Sequence, residues 1–435
     1  MRVRIGLAVA TTALLVGGVA PAASADTGGT DAAVDAATAA ASCEAFFGVG
    51  PGVEPLSPCQ WGMRAVQAGP ASYARATGAG VRVGVIDSGV DMTHADVVPN
   101  LDVAHSCSFI FSGTPTALPV EVGNGDCSNK AAVQDMQGHG THVATIIAGA
   151  DNGIGVAGVA PQATLVALKA CTVEGFCFAD SVAAALRYAG DQRLDVVNLS
   201  LFADPFLYFC KSDAEQKAIL KDLESAARYA QQRGVVIVAS AGNEFADLSH
   251  PTTDDISPDW PPDTAVERRV RNDCRVAPAE LPGVVTVSAV GPSTLASYSN
   301  TGSPVDVTAP GGDAVQTPGT TFGRVLSGWS STDMSGQWEA LSAANRAVLD
   351  GGNRYVWVSG TSMSSPHATG VAALIRQRHP GWSQGAVASA VRRSATPVAC
   401  PAVWPADDVR QCTGGAGNTS FFGSGMVNAL AASSL

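Results

Sequence analysis

Val81-Arg-Val-Gly-Val-Ile-Asp87-Ser-Gly89 is an apolar run that ends in a carboxylate and a glycine turn. Continuous apolar residues over that length predict a strand buried on both faces, as in a parallel sheet. Outward from it, Thr164 to Lys169, Asp195 to Leu201, Val235 to Ser240 and Val284 to Val290 read the same way. Asp180 to Asp191 and Ala214 to Arg233 carry helical patterns between them, the second closed by Gly234. Strands alternating with helices predict an α/β fold, one doubly wound and mostly parallel sheet with helices on both faces. Right-handed crossovers then put functional loops at the carboxyl ends of the strands, where Asp87 lies. No repeat or linker divides the stretch 59–433, which reads as a single domain with insertions.

Composition narrows the function classes. The chain is 46% apolar and 15% charged, so a large core is available and disorder is not expected. A formal net charge of -12 argues against nucleic-acid partners and anionic membranes. Residues 1–25 read as an export signal: Arg2 and Arg4, an apolar run from Ile5 to Ala20, then Ala23-Ser24-Ala25. A membrane anchor is the weaker reading, since that run is short and broken by Thr11, Thr12 and glycines. Residues 26–58 read as a linker or short pro-segment, with nothing to pack between Asp26 and Ser42.

Ten cysteines suit an oxidising compartment and fall into near-neighbour couples: Cys43/Cys59, Cys107/Cys127, Cys171/Cys177, Cys210/Cys274 and Cys400/Cys412. A zinc site would want paired CxxC spacing, which is missing. A secreted, extracellular monomer without a membrane anchor is the expectation.

Three segments are hard to explain as packing. Asp87 closes a buried strand. His139, in Gln137-Gly-His139-Gly-Thr-His142, opens an apolar helix running to Ala148. Ser362, in Val358-Ser-Gly360-Thr-Ser362-Met-Ser-Ser-Pro366-His, opens another helix. A serine hydroxyl is a weak nucleophile until a base takes its proton, and an imidazole oriented by a buried carboxylate does that. His142 and His367, one helical turn beyond, read as helix packing. His139 and His142 lack the spacing and glutamate of a His-Glu-x-x-His metal pair, so no catalytic cofactor is expected.

In order and wording these segments resemble the three signature motifs of the subtilases, the subtilisin-like serine peptidases. Ala239-Ser-Ala-Gly242-Asn243-Glu244, Thr308-Ala-Pro310-Gly and Phe422-Gly-Ser-Gly425-Met-Val-Asn428 extend the likeness over roughly Gln60 to Ala432. The resemblance implies a serine endopeptidase acting on peptide or protein substrates with Asp87, His139 and Ser362. It implies Asn243 as the oxyanion-hole amide and Ser200, Leu201 and Phe202 as the substrate-binding strand. It also implies a structural calcium held by Asp96, Asn152 and the carbonyls of Ala150, Ile154 and Val156, for which the plain alternative is an Asn-Gly turn.

Three departures stand out. Residues 26–58 are too few for the folded prodomain many subtilases carry. Phe202 and Ala203 stand where the family has glycines, and insertions run from Ala246 to Pro278 and from Gly312 to Tyr355. Two rivals remain. A catalytically inactive subtilase scaffold serving as a binding module fits poorly with an intact Asp-His-Ser set. An α/β-hydrolase esterase would need a G-x-S-x-G elbow and the order Ser, Asp, His, and neither occurs here.

Overall fold

The computed structural model describes residues 33–435, so the export-signal reading of residues 1–25 lies outside the described residues. Seven parallel strands form the central sheet, in the spatial order 307–310, 285–290, 236–240, 196–199, 82–87, 164–169 and 107–108. Alternate residues of each strand enter opposite cores, which is why the runs are apolar throughout. Val83 and Val85 pack on one face with the helices His139–Ala148 and Thr361–Arg378. Ile86 joins the other face, beneath Ala179–Asp191 and Ala214–Gln232.

The strand Arg82–Asp87 is the topological switch point. The chain steps from it to one side for 107–108 and 164–169, then returns to the other side for 196–199. Flanking connections diverge there, leaving a crevice at the carboxyl end of the strand. The doubly wound α/β domain expected from the sequence is the fold observed.

A second, four-stranded sheet was not foreseen. Val325–Trp329, Ala347–Asp350 and Asn353–Val358 come from the insertion after Gly312, and Val34–Asp35 adds in parallel at its edge. The expectation that nothing between Asp26 and Ser42 packs fails from residue 34 onward. Ala36–Phe47 is a helix whose Asp35 cap accepts the Thr38 N–H at 3.0 Å. It buries Ala36, Ala39 and Cys43 against Val348 and Trp357. Small alanines let the helix lie close, and their partners are some 300 residues away in sequence.

All five near-neighbour cysteine couples are disulfides, and no cysteine is free. Among the described residues no helix is long and apolar enough to cross a membrane.

Candidate active site

Asp87 is the last residue of its strand and only 2% exposed. Its Oδ1 accepts the Ser88 N–H at 2.8 Å and meets His139 Nδ1 at 2.7 Å. A carboxylate on Nδ1 fixes the proton there and leaves the Nε2 lone pair facing away from Asp87. His139 is the first residue of its helix, and its side chain keeps 18% of its surface open to solvent. Burial opposes its charge, but the carboxylates of Asp87 and, farther off, Asp135 outweigh that and hold it above the usual imidazole range.

Asp135 escaped the sequence reading. Wholly buried, it caps the helix: Oδ1 accepts from the N–H of Gln137 (3.0 Å) and Gly138 (2.8 Å), and Oδ2 from that of Thr141 (3.0 Å). The Ser88 hydroxyl donates to Asp135 at 2.9 Å and accepts the Gly140 N–H at 2.9 Å, tying the turn after Asp87 to the helix. Gly138 sits at φ +121°, and a methyl there would collide with the Trp329 indole. Lys169, beside Asp87 in the sheet, is buried with Glu121 at 2.8 Å. Its ammonium donates to the carbonyls of Ser88 (2.7 Å) and Gln134 (3.0 Å). A lysine ending an apolar strand was the signal available in the sequence for Lys169, and Asp135 carried none beyond an aspartate ahead of a helix start.

Ser362 lies in the first turn of Thr361–Arg378. Pro366 has no N–H, so the Ser362 carbonyl four residues earlier loses its helical partner. The Ser200 hydroxyl supplies one, donating to it at 2.8 Å. Having spent its proton, that hydroxyl accepts from Asn198 Nδ2 and pairs with the Ser365 hydroxyl, each at 2.8 Å. The strand end is thereby bolted to the helix. Ser362 Oγ donates to the Ser200 carbonyl at 3.2 Å, and among the described residues no hydrogen bond joins it to His139. Such bonds often tighten only when substrate is bound.

Asn243 is exposed in the loop after the strand Val236–Ser240. Its Oδ1 accepts from the N–H and hydroxyl of Thr361, at 2.8 and 2.9 Å. An N–H can only donate, so the oxygen must face Thr361 and the amide NH2 is left for the crevice.

Beyond Ser200, Leu201 and Phe202 are half-buried. Phe202 packs on Leu207, Tyr208, Leu248, Val270 and Val276, a cluster drawn largely from the Ala246–Pro278 insertion. The Ala203 N–H donates to the Ala277 carbonyl at 2.9 Å, and strands 208–210 and 274–276 pair across the Cys210–Cys274 bridge. Burial, with the Asp259 carboxyl close by, pushes Asp204 well above the usual carboxylate range. Trp260 meets the edge of Phe176 at 5.4 Å, so the insertion also reaches the loop 171–178.

The loop 150–156 fits a hard cation. Among the described residues nothing donates to the carbonyls of Ala150, Ile154 or Val156. Asp96, buried beneath them, accepts the Val156 N–H at 3.2 Å and the Tyr355 hydroxyl at 2.9 Å. Asn152 Oδ1 accepts the Ile154 N–H at 2.9 Å, and its Nδ2 donates to Asp96 at 3.3 Å. No cluster of three His, Cys, Asp or Glu forms among the described residues, so carbonyl and amide oxygens would dominate any coordination there.

His142 and His367 are buried packing groups. Burial lowers them to about 3 and about 4, and each bonds a backbone carbonyl, of Val356 (3.1 Å) and Met363 (2.7 Å) respectively.

The Subtilase family model matches residues 78–425. The chain belongs to the subtilase family. M-protease of Shouchella clausii (strain KSM-K16) is 32% identical over 375 residues, which span 86% of this chain and 69% of that one. Subtilisin Savinase of Lederbergia lenta is 31% identical over 375 residues, spanning 86% and 97%. The solved structure of a protease from Pseudoalteromonas arctica PAMC 21717 has a TM-score of 0.59 at 26% identity, covering 88% of this chain and 98% of that one. This subtilase is a serine-type endopeptidase acting on peptides or proteins.

Proposed function

We propose that this subtilase cuts peptide bonds through an acyl-enzyme, with Ser362 as nucleophile, His139 as base and then acid, and Asp87 as the group that orients it. The observation that carries the reading is the 2.7 Å contact of the buried Asp87 carboxylate with His139 Nδ1. It leaves Nε2 as the only ring nitrogen able to accept a proton.

As Ser362 Oγ bonds the substrate carbonyl carbon, its proton passes to Nε2 and the carbonyl oxygen becomes an anion. The Asn243 NH2 and the Ser362 N–H donate to that anion. The imidazolium then protonates the departing amine as the carbon–nitrogen bond breaks. Water, deprotonated by the same nitrogen, attacks the ester and restores the Ser362 hydroxyl. In the test, a fluorophosphonate probe labels the wild-type enzyme and not Ser362→Ala. Labelling that survives the substitution overturns the assignment. Asn243→Ala lowers kcat by roughly 10²–10³ with a smaller change in KM, the usual loss for one oxyanion donor.

The strand Ser200-Leu201-Phe202 pairs with the substrate backbone in this reading, and Phe202 with its insertion narrows the residue accepted before the cut. Support comes from the packing of Phe202 on the insertion, which ties the strand exit to a braced loop. The loop 150–156 with Asp96 holds a structural calcium, supported by its three unpaired carbonyls. Chelation then lowers the melting temperature. The basic and apolar start of the chain and its five disulfides support export to an extracellular site.

A further inference from the structure

We infer that Asn300 is a positioning residue for the oxyanion site, setting from below where the Asn243 amide stands. The inference rests on the role proposed above for Asn243.

Asn243 is exposed and tethered through its oxygen alone, to Thr361. The direction of its NH2 therefore depends on the backbone of its own loop, which has no ladder of its own. Asn300, fully buried, supplies the missing frame. Its Nδ2 donates to the Ala241 carbonyl at 3.0 Å and to the Glu244 carboxylate at 2.5 Å. Its Oδ1 accepts from the N–H groups of Glu244 (3.1 Å) and Ala246 (2.8 Å). Its backbone N–H donates to the Gly242 carbonyl at 3.0 Å.

Both amide hydrogens and both oxygen lone pairs are used, which is the full capacity of the side chain. Every bond lands on a residue flanking Asn243 and none on Asn243 itself. Gly242 has φ +102°, and a side chain there would strike the Asn300 amide and the Glu244 carboxylate. The glycine is what lets Asn300 rise under the turn.

A second clamp acts from the flank. The buried Arg410 guanidinium lies 3.6 Å over the Phe245 ring and donates to the Ser299 carbonyl at 3.0 Å, joining the loop to the segment that carries Asn300. Aspartate would lack both donors of Asn300, and alanine would leave four polar groups of the loop without this partner.

The experiment is a double-mutant cycle on the full chain, with kcat and KM measured for Asn300→Ala in the wild-type and Asn243→Ala backgrounds. Rates are expressed per active site titrated by fluorophosphonate. In the wild-type background kcat falls roughly tenfold to a hundredfold at nearly constant KM, the scale for a catalytic group displaced by about 1 Å. In the Asn243→Ala background the same substitution changes kcat less than about twofold, because the group it positions is gone. Equal losses in both backgrounds overturn the inference, and so does an unchanged kcat in the wild-type background. If Asn243→Ala alone leaves kcat intact, the oxyanion reading itself fails, which is a separate result. Should Asn300→Ala not yield folded enzyme, Asn300→Asp runs the same cycle, keeping the acceptor and losing both donors.

Discussion

The two insertions of this subtilase brace opposite sides of one crevice by different means. The 312–355 insertion forms a β-sheet that merges with the main core behind the His139 helix. The Thr145 hydroxyl pairs with that of Ser327 at 2.5 Å, and the Val356 carbonyl meets His142 at 3.1 Å. Trp329, buried, lies against Gly138, directly before His139. The Ala246–Pro278 insertion has only short strands and a small separate cluster, and meets the chain at Phe202, Ala203 and Asp204. One insertion supports the histidine proposed to move protons. The other supports the strand proposed to hold substrate. Disturbing the first should slow all substrates alike, and disturbing the second should change which substrates are cut.

Trp329→Ala is the severest way to break the comparison. Removing a buried indole costs about 3–5 kcal/mol, which differential scanning calorimetry would register as a large fall in melting temperature. The remaining folded enzyme should lose kcat to a similar degree on every peptide of a library. A selective loss would show that this insertion also sets specificity.

Asp135→Asn should have the next largest effect. The amide keeps one acceptor where the carboxylate served five donors, so stability falls, and His139 loses one of the negative charges that raise it. The acid limb of the kcat/KM profile, which reports the free base, then moves to lower pH. An unmoved limb means Asp135 only caps the helix.

Phe202→Gly sharpens the other side. Large residues before the cut should gain roughly tenfold in kcat/KM relative to small ones, the scale for reshaping an apolar pocket. A library profile identical to wild type would place the specificity elsewhere.

The smallest effect belongs to Glu280, just beyond the second insertion. Burial pushes it up to about 7, against the Val276 N–H and Arg275, which pull it down. A carboxyl raised on folding stabilises fully below its unfolded value near 4.5, and that stability is lost as pH rises through about 7. Glu280 should contribute a slope of at most about 1.4 kcal/mol per pH unit to urea unfolding in that window. Glu280→Gln should remove that contribution without changing activity, leaving the slope due to Glu54 and Asp96, which burial also raises to about 7.

Much of the frame was legible because its signals are local. The apolar runs became the central strands to within a residue or two, since burial on both faces leaves no polar position in a run. The cysteines paired with their neighbours in sequence. The helix Ala36–Phe47 was not legible, because an alanine run acquires an apolar face only when Val348 and Trp357 come to meet it. Asp135 and Asn300 were missed for a related reason. Each looks like an ordinary polar loop residue, and its value lies in donors and acceptors supplied from elsewhere in the chain.

The amino-acid order by itself determined that the chain folds as a parallel α/β sheet, and which short segments could carry acyl-transfer chemistry. Periodicity and motif wording are properties of neighbouring residues, and they survive without coordinates. Only the tertiary structure decided that Ser88 ties Asp135 to the turn after Asp87, that Ser200 satisfies the carbonyl left bare by Pro366, and that Asn300 underpins the Asn243 loop. Those are hydrogen bonds between residues far apart in sequence. They exist only where the folded backbone brings a donor to an acceptor that water can no longer reach.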